Sequence, residues 1–154
     1  MSNGESITRH VNYLRERIRR LQDLGDCTLD QYLENIGLRE QVERNYQLAV
    51  ECCTDIASRI LAIYCLTRPA RNREVFQILS QARLLPQELA DVMSTMVSMR
   101  NRLTHVYMTI DPVEMYRHLQ GDIAHFEAFE ALALAWIEQL ETESKGKNGP
   151  GRQG

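Results

Sequence analysis

The apolar positions along this chain fall into stripes of helical period. Ile7, Val11, Leu14, Ile18 and Leu21 step by 4, 3, 4 and 3 residues, which lines them up on one helix face. Ser6-Ile7-Thr8 stands where that helix would open, and it is expected to run to about Gly25. Its opposite face carries Arg15, Arg17, Arg19 and Arg20, a basic surface that solvation accounts for. Thr28-Leu29-Asp30-Gln31 has the form of a capping box, so a short helix follows and is expected to stop at Gly37. A long helix comes next, over about residues 38–66. Along it Val42, Tyr46, Ala49, Cys53, Ile56, Ile60 and Ile63 alternate in steps of 4 and 3, the kind of seam on which helix bundles pack.

Thr67-Arg68-Pro69-Ala70 breaks that pattern. Residues 71–82 give a shorter helix that buries Val75, Phe76, Ile78 and Leu79. Pro86 suits the first position of the next helix, whose stripe reads Leu89, Met93, Met96, Arg100, Leu103. Asp111 caps the last helix and Pro112 opens it, with an end expected near Glu143. No segment alternates with the period of a strand. The fold class is therefore all-α, an antiparallel up-and-down bundle of four main helices plus short ones. Residues 1–143 form one domain, and the polar, Gly-rich SKGKNGPGRQG of 144–154 reads as a disordered C-terminal tail.

Composition adds exclusions. A chain of 154 residues with 44% apolar and 25% charged residues suits one soluble domain with one core. No apolar run reaches the length of a membrane span, and MSNGESITRH lacks the apolar stretch of a secretory signal. A cytoplasmic protein is expected. Cys27, Cys52, Cys53 and Cys65 form no CxxC pair, so neither a disulfide framework nor a metal site is expected, and nothing calls for a cofactor. Cys52, Cys53 and Tyr46 read as core fillers. The net charge of −3 argues against broad, nonspecific nucleic-acid binding, though a local basic cleft stays open. All 18 cationic residues except Lys145 and Lys147 are arginine, the side chain best shaped for bidentate phosphate contacts.

The chemistry concentrates in Met99-Arg100-Asn101-Arg102-Leu103-Thr104-His105-Val106-Tyr107. Arg100 occupies a stripe position that asks for an apolar residue, and a buried charge without a partner is costly. It could pair with a carboxylate such as Asp55, snorkel to the edge of the core, or line a cleft that receives an anion. His105 follows five residues on, about 140° around a straight helix. The two side chains diverge unless the helix ends near Thr104, which the β-branched residues and Asp111-Pro112 that follow make reasonable.

Arg100, His105 and Tyr107 fit the pattern R-x4-H-x-Y, and here the chain resembles the HepT-like toxins, a branch of the HEPN superfamily of small helical nucleases. The likeness spans roughly residues 7–140 and includes the T-L-D-Q-Y-L segment, the stretch from Leu48 through Ala57, and the L-P-x-E-L-A turn before the motif helix. The resemblance implies a HEPN-like fold and a homodimer whose motif helices meet across a cleft. It implies the toxin of a type VII-like toxin–antitoxin pair, a metal-independent endoribonuclease acting through Arg100 and His105 on tRNA or mRNA. It also implies a partner, an MntA-like nucleotidyltransferase antitoxin that silences the toxin by placing AMP on Tyr107. Asn101 could orient the site or bond the phosphate, and Arg102 could aid RNA binding or be solvated. Arg68, Arg71 and Arg73 form a second basic patch that could meet RNA or partner, or only water. The alternative is a non-catalytic subunit that presents nucleotide or substrate to a nucleotidyltransferase, a role with no need of the histidine.

Overall fold

Ser2, not Ser6, opens the first helix. The Ser2 hydroxyl accepts from the Glu5 N–H at 3.2 Å, and the Glu5 carboxylate accepts from the Ser2 N–H at 3.1 Å. This reciprocal box satisfies two donors that a helix start otherwise leaves unpaired, so α1 (Asn3–Gly25) begins earlier than its apolar stripe suggests. The computed structural model in which these elements are seen describes residues 2–105 and 110–147.

Thr28 and Gln31 close the expected capping box of α2 (Leu29–Glu34). The stop expected at Gly37 falls instead at Glu34, because Asn35 caps the next helix. Its side-chain oxygen accepts from the Leu38 N–H at 3.0 Å, and Gly37 lies in the first turn of α3 (Ile36–Ile63). That long helix ends short of Leu66. Cys65 turns into the left-handed region at φ 53°, and the Leu66 N–H bonds back to the Leu61 carbonyl at 2.9 Å, which closes the helix end. The helix expected over 71–82 is split into a 3-10 turn, Asn72–Glu74, and α4 (Val75–Gln81), the tighter winding common at helix starts. Arg83, at φ 62°, ends α4 in the same way as Cys65 ends α3.

Pro86 stands one position outside α5 (Gln87–Thr104), as its extended N-cap. Asp111 caps α6 (Pro112–Lys147), accepting from the Val113 N–H at 2.9 Å. This helix passes the expected end at Glu143. Glu141 and Lys145 stand at i and i+4 in the favourable order, and a lysine near a helix C-terminus complements its dipole. The remaining tail, 148–154, lies outside the described residues.

Cross-helix contacts fix the directions. The Cys52 thiol reaches the His10 carbonyl and Arg17 reaches Asn45, so α1 and α3 run antiparallel. Arg15 pairs with Glu130 and Gln120 bonds the Gly25 carbonyl, so α6 also opposes α1. Each successive main helix (α1, α3, α5, α6) reverses, giving the expected up-and-down bundle. The seam of α3 is buried from Val42 to Ile60, and Phe76, Phe129 and Trp136 pack edge-on at 5.8 and 5.7 Å. No helix among the described residues is long and apolar enough to cross a membrane.

One polar network lies inside this core. The fully buried Tyr46 hydroxyl donates to Asp122 Oδ2 at 2.7 Å, and His118 Nδ1 lies 2.8 Å from the same oxygen. Burial, reinforced by the Asp122 charge, pushes the tyrosine hydroxyl far above its ordinary value, so it stays a donor.

Candidate active site

The motif residues gather where α5 ends. Arg100 resolves its misplaced charge through Glu51 on α3. Its Nε and Nη2 reach Glu51 Oε1 at 3.2 and 2.9 Å, and its Nη1 reaches Asn101 Oδ1 at 3.0 Å. The Gln47 amide donates to the same Glu51 oxygen at 3.1 Å. The partner suggested from sequence, Asp55, is the acid one turn further along α3. The Arg100 and Glu51 side chains keep 27% and 32% of their surface exposed, so this is a pair at the edge of the core, not one sealed inside it.

That geometry leaves the arginine with capacity. A guanidinium carries five N–H donors. Three are engaged among the described residues, which leaves one N–H on each terminal nitrogen for an anion. Glu51 and Asn101 meanwhile hold the planar group in one orientation, the preorganisation an anion site needs.

His105 is the C-cap of α5. Its backbone is extended (φ −87°, ψ 112°) and its N–H bonds the Arg102 carbonyl at 3.3 Å. Thr104 turns its hydroxyl back to the Asn101 carbonyl at 2.8 Å, which satisfies one of the carbonyls the helix end leaves open. The helix therefore ends where the sequence suggested, and the exposed imidazole is freed from the angular offset of a straight helix. Among the described residues no side chain hydrogen-bonds it. The structure thus brings Arg100 and Asn101 into contact and sets His105 at the adjoining helix end. Tyr107 lies outside the described residues.

Arg102 is partly exposed but paired. It grips Glu114, in the first turn of α6, with Nη1–Oε1 at 2.6 Å and Nη2–Oε2 at 3.0 Å. This fork ties the end of the motif helix to the start of the last one. The Arg102 hydrogen bonds hold the Glu114 carboxyl below the usual carboxylate range. A carboxyl lowered in the folded state contributes stability above its unfolded pKa and loses it as pH falls through the folded value. Glu114→Gln is expected to cost about 0.5 kcal/mol at pH 7, as for an exposed pair, and the difference should vanish in acid. Thermal melts of the two proteins at pH 7 and pH 3 check this.

Arg68, Arg71 and Arg73 are exposed. Between the last two, Asn72 lines a cavity of about 50 Å³ together with Glu51, Asp55 and Arg100, so this basic stretch passes beside the motif arginine. Glu51 is a site residue that the sequence motif does not contain. Its signal was there: it is the one charge in Leu48-Ala49-Val50-Glu51-Cys52-Cys53, an acid set among apolar residues as Arg100 is set in an apolar stripe.

The chain as a whole is similar to known proteins. The family model described as “Ribonuclease HepT-like” matches residues 14–131. The mRNA nuclease HepT of Shewanella oneidensis is 30% identical over 127 residues, 82% of this chain and 94% of that protein. The tRNA nuclease HepT of Aphanizomenon flos-aquae is 26% identical over 140 residues, 91% of this chain and 90% of that protein. The solved structure of the tri-AMPylated Shewanella oneidensis HEPN toxin in complex with MNT antitoxin superimposes with a TM-score of 0.79 at 29% identity, covering 88% of this chain and 99% of that one.

Proposed function

Because this chain belongs to the HepT-like ribonuclease family, we propose that it is the toxin of a type VII-like toxin–antitoxin pair, an endoribonuclease that needs no metal. The observation that carries the reading is the fixed Arg100 guanidinium, with two N–H groups to spare, at the end of the helix that presents His105.

RNA brings its own nucleophile, the 2′-hydroxyl, so the enzyme has to move protons and stabilise charge. An imidazole carries both a donor and an acceptor nitrogen, so His105 takes the 2′ proton or gives one to the departing 5′ oxygen. The 2′ oxygen attacks phosphorus, the P–O5′ bond breaks, and a 2′,3′-cyclic phosphate and a 5′-hydroxyl result. Arg100 holds the phosphate and offsets charge as the bond order changes. Asn101 orients Arg100, and Arg102 supports the site by anchoring the helix junction to Glu114. In a homodimer, two histidines at one cleft supply base and acid together.

The regulatory half of the proposal concerns Tyr107. A cognate MntA-like nucleotidyltransferase transfers AMP from ATP to its hydroxyl, releasing pyrophosphate, and so adds bulk and negative charge two residues from His105. Like charge beside a phosphate site opposes RNA entry. The AMPylated relative bound to its antitoxin supports this reading.

Protein made without the partner is expected to cut RNA, and incubation with the partner and ATP is expected to add AMP and stop cutting. Tyr107→Phe should still cut and should resist both the added mass and the silencing. A folded, unmodified protein that cuts no RNA, total tRNA included, would instead support a non-catalytic subunit that presents nucleotide to the transferase.

A further inference from the structure

A second cavity lies next to the motif arginine. It has a volume of about 350 Å³, within the range of small-ligand pockets, and it opens between α1 and α3. Glu51 and Asp55 line both this cavity and the small one at Arg100, so the two adjoin. The family motif does not include its walls.

Those walls have a distinctive chemistry. Tyr13 is 43% exposed, one of the few large apolar side chains left open to solvent among the described residues. The Arg17 guanidinium sits 5.0 Å from its ring centroid and is itself tethered to Asn45 at 3.0 Å, so the ring has a fixed cationic backing. Leu48 adds an apolar surface, and Arg9 a cation. His10 Nδ1 lies 2.9 Å from the Ser6 carbonyl, which can only accept, so the ring is a donor there and its Nε2 is left for another partner. Asp55 and Glu51 supply carboxylate acceptors.

An aromatic face, a neighbouring cation and hydrogen-bonding groups at one edge are what single-stranded RNA-binding sites use to hold an unstacked base. The carboxylates set the preference. They accept from the exocyclic amino groups of cytosine, guanine or adenine, whereas uracil offers a carboxylate only its N3–H, flanked by two repelling carbonyl oxygens. We propose that this cavity binds the nucleobase flanking the cleaved phosphate, stacked on Tyr13, and that Asp55 selects bases with an amino group over uracil. This rests on the ribonuclease reading above.

The test uses unmodified full-length protein and DNA oligonucleotides holding one ribonucleotide, with the bases on either side of the cut varied in turn. Wild type should disfavour uracil at one flank. Tyr13→Ala should raise KM roughly tenfold with kcat little changed, the range expected for one lost stacking contact. Asp55→Asn, which adds an N–H donor for a uracil carbonyl, should erase the discrimination. Both positions are exposed, so the fold should survive each change. Wild-type cutting indifferent to flanking bases, or unaltered by either substitution, would overturn the pocket while leaving the ribonuclease intact. So would a Tyr13→Ala protein whose mass in solution falls from dimer to monomer, since the face would then be a subunit contact. Wild type that cuts neither these substrates nor tRNA would remove the ribonuclease reading, and the pocket with it.

Discussion

His105→Ala should abolish RNA cleavage and leave the melting temperature where it was. The imidazole is exposed at the cap of α5, and no side chain among the described residues depends on it, so its removal costs the fold little. Its loss from the reaction removes proton transfer, which contributes roughly 10²–10⁴-fold to such rates. Arg100→Ala should lose about 10²–10³-fold by the removal of charge stabilisation. Arg100→Lys separates charge from geometry. It keeps the positive charge and loses the fork that reaches Glu51 and Asn101 together, so most of the activity should still be lost. A lysine variant with near-wild-type kcat would show that a point charge suffices. Rates on one RNA, paired with thermal melts of each variant, decide these points.

Asp122→Ala should destabilise the fold at a position away from the site. Asp122 is 9% exposed and is the acceptor for the Tyr46 hydroxyl, which is fully buried and keeps its proton. Without the carboxylate that hydroxyl has no partner, at a cost of about 1–3 kcal/mol. For a domain of this size each kcal/mol lowers Tm by roughly 2–4 °C. Tyr46→Phe in the same background removes the stranded hydroxyl and should recover part of the loss. Calorimetry on the two single variants and the double variant measures that coupling directly. A double variant no more stable than Asp122→Ala alone would show that the hydroxyl is satisfied in some other way.

The bundle was legible from sequence because burial follows period. The steps of 4 and 3 from Val42 to Ile60 name the buried face of α3, and the stripe of α1 is buried at every position from Ile7 to Leu21. Helix ends were less legible, since caps depend on one or two hydrogen bonds. Ser2 and Glu5 stand at capping-box spacing, but they precede the first apolar position of the stripe, Ile7. Gly37 carries the commoner stop signal, whereas Asn35 acts through one hydrogen bond to the Leu38 N–H.

The candidate site was legible in part. Arg100, Asn101 and His105 are local in sequence, and the helix end at Thr104 followed from the β-branched residues and Asp111-Pro112. Glu51 was not found as the partner, because a helix stripe shows that Arg100 points inward without showing which residue of α3 it meets. Asp55 and Glu51 are one turn apart, and only packing chooses between them. Arg102 stayed open between RNA contact and solvation for the same reason, as its partner Glu114 belongs to the next helix.

On the proposed mechanism this chain breaks RNA with the RNA's own 2′-hydroxyl, using Arg100 and His105. End-group analysis of RNA cut in EDTA by protein made without its partner tests it most directly. A 2′,3′-cyclic phosphate on one fragment and a 5′-hydroxyl on the other are expected. A 3′-hydroxyl with a 5′-phosphate, or cutting that stops in EDTA, would contradict it.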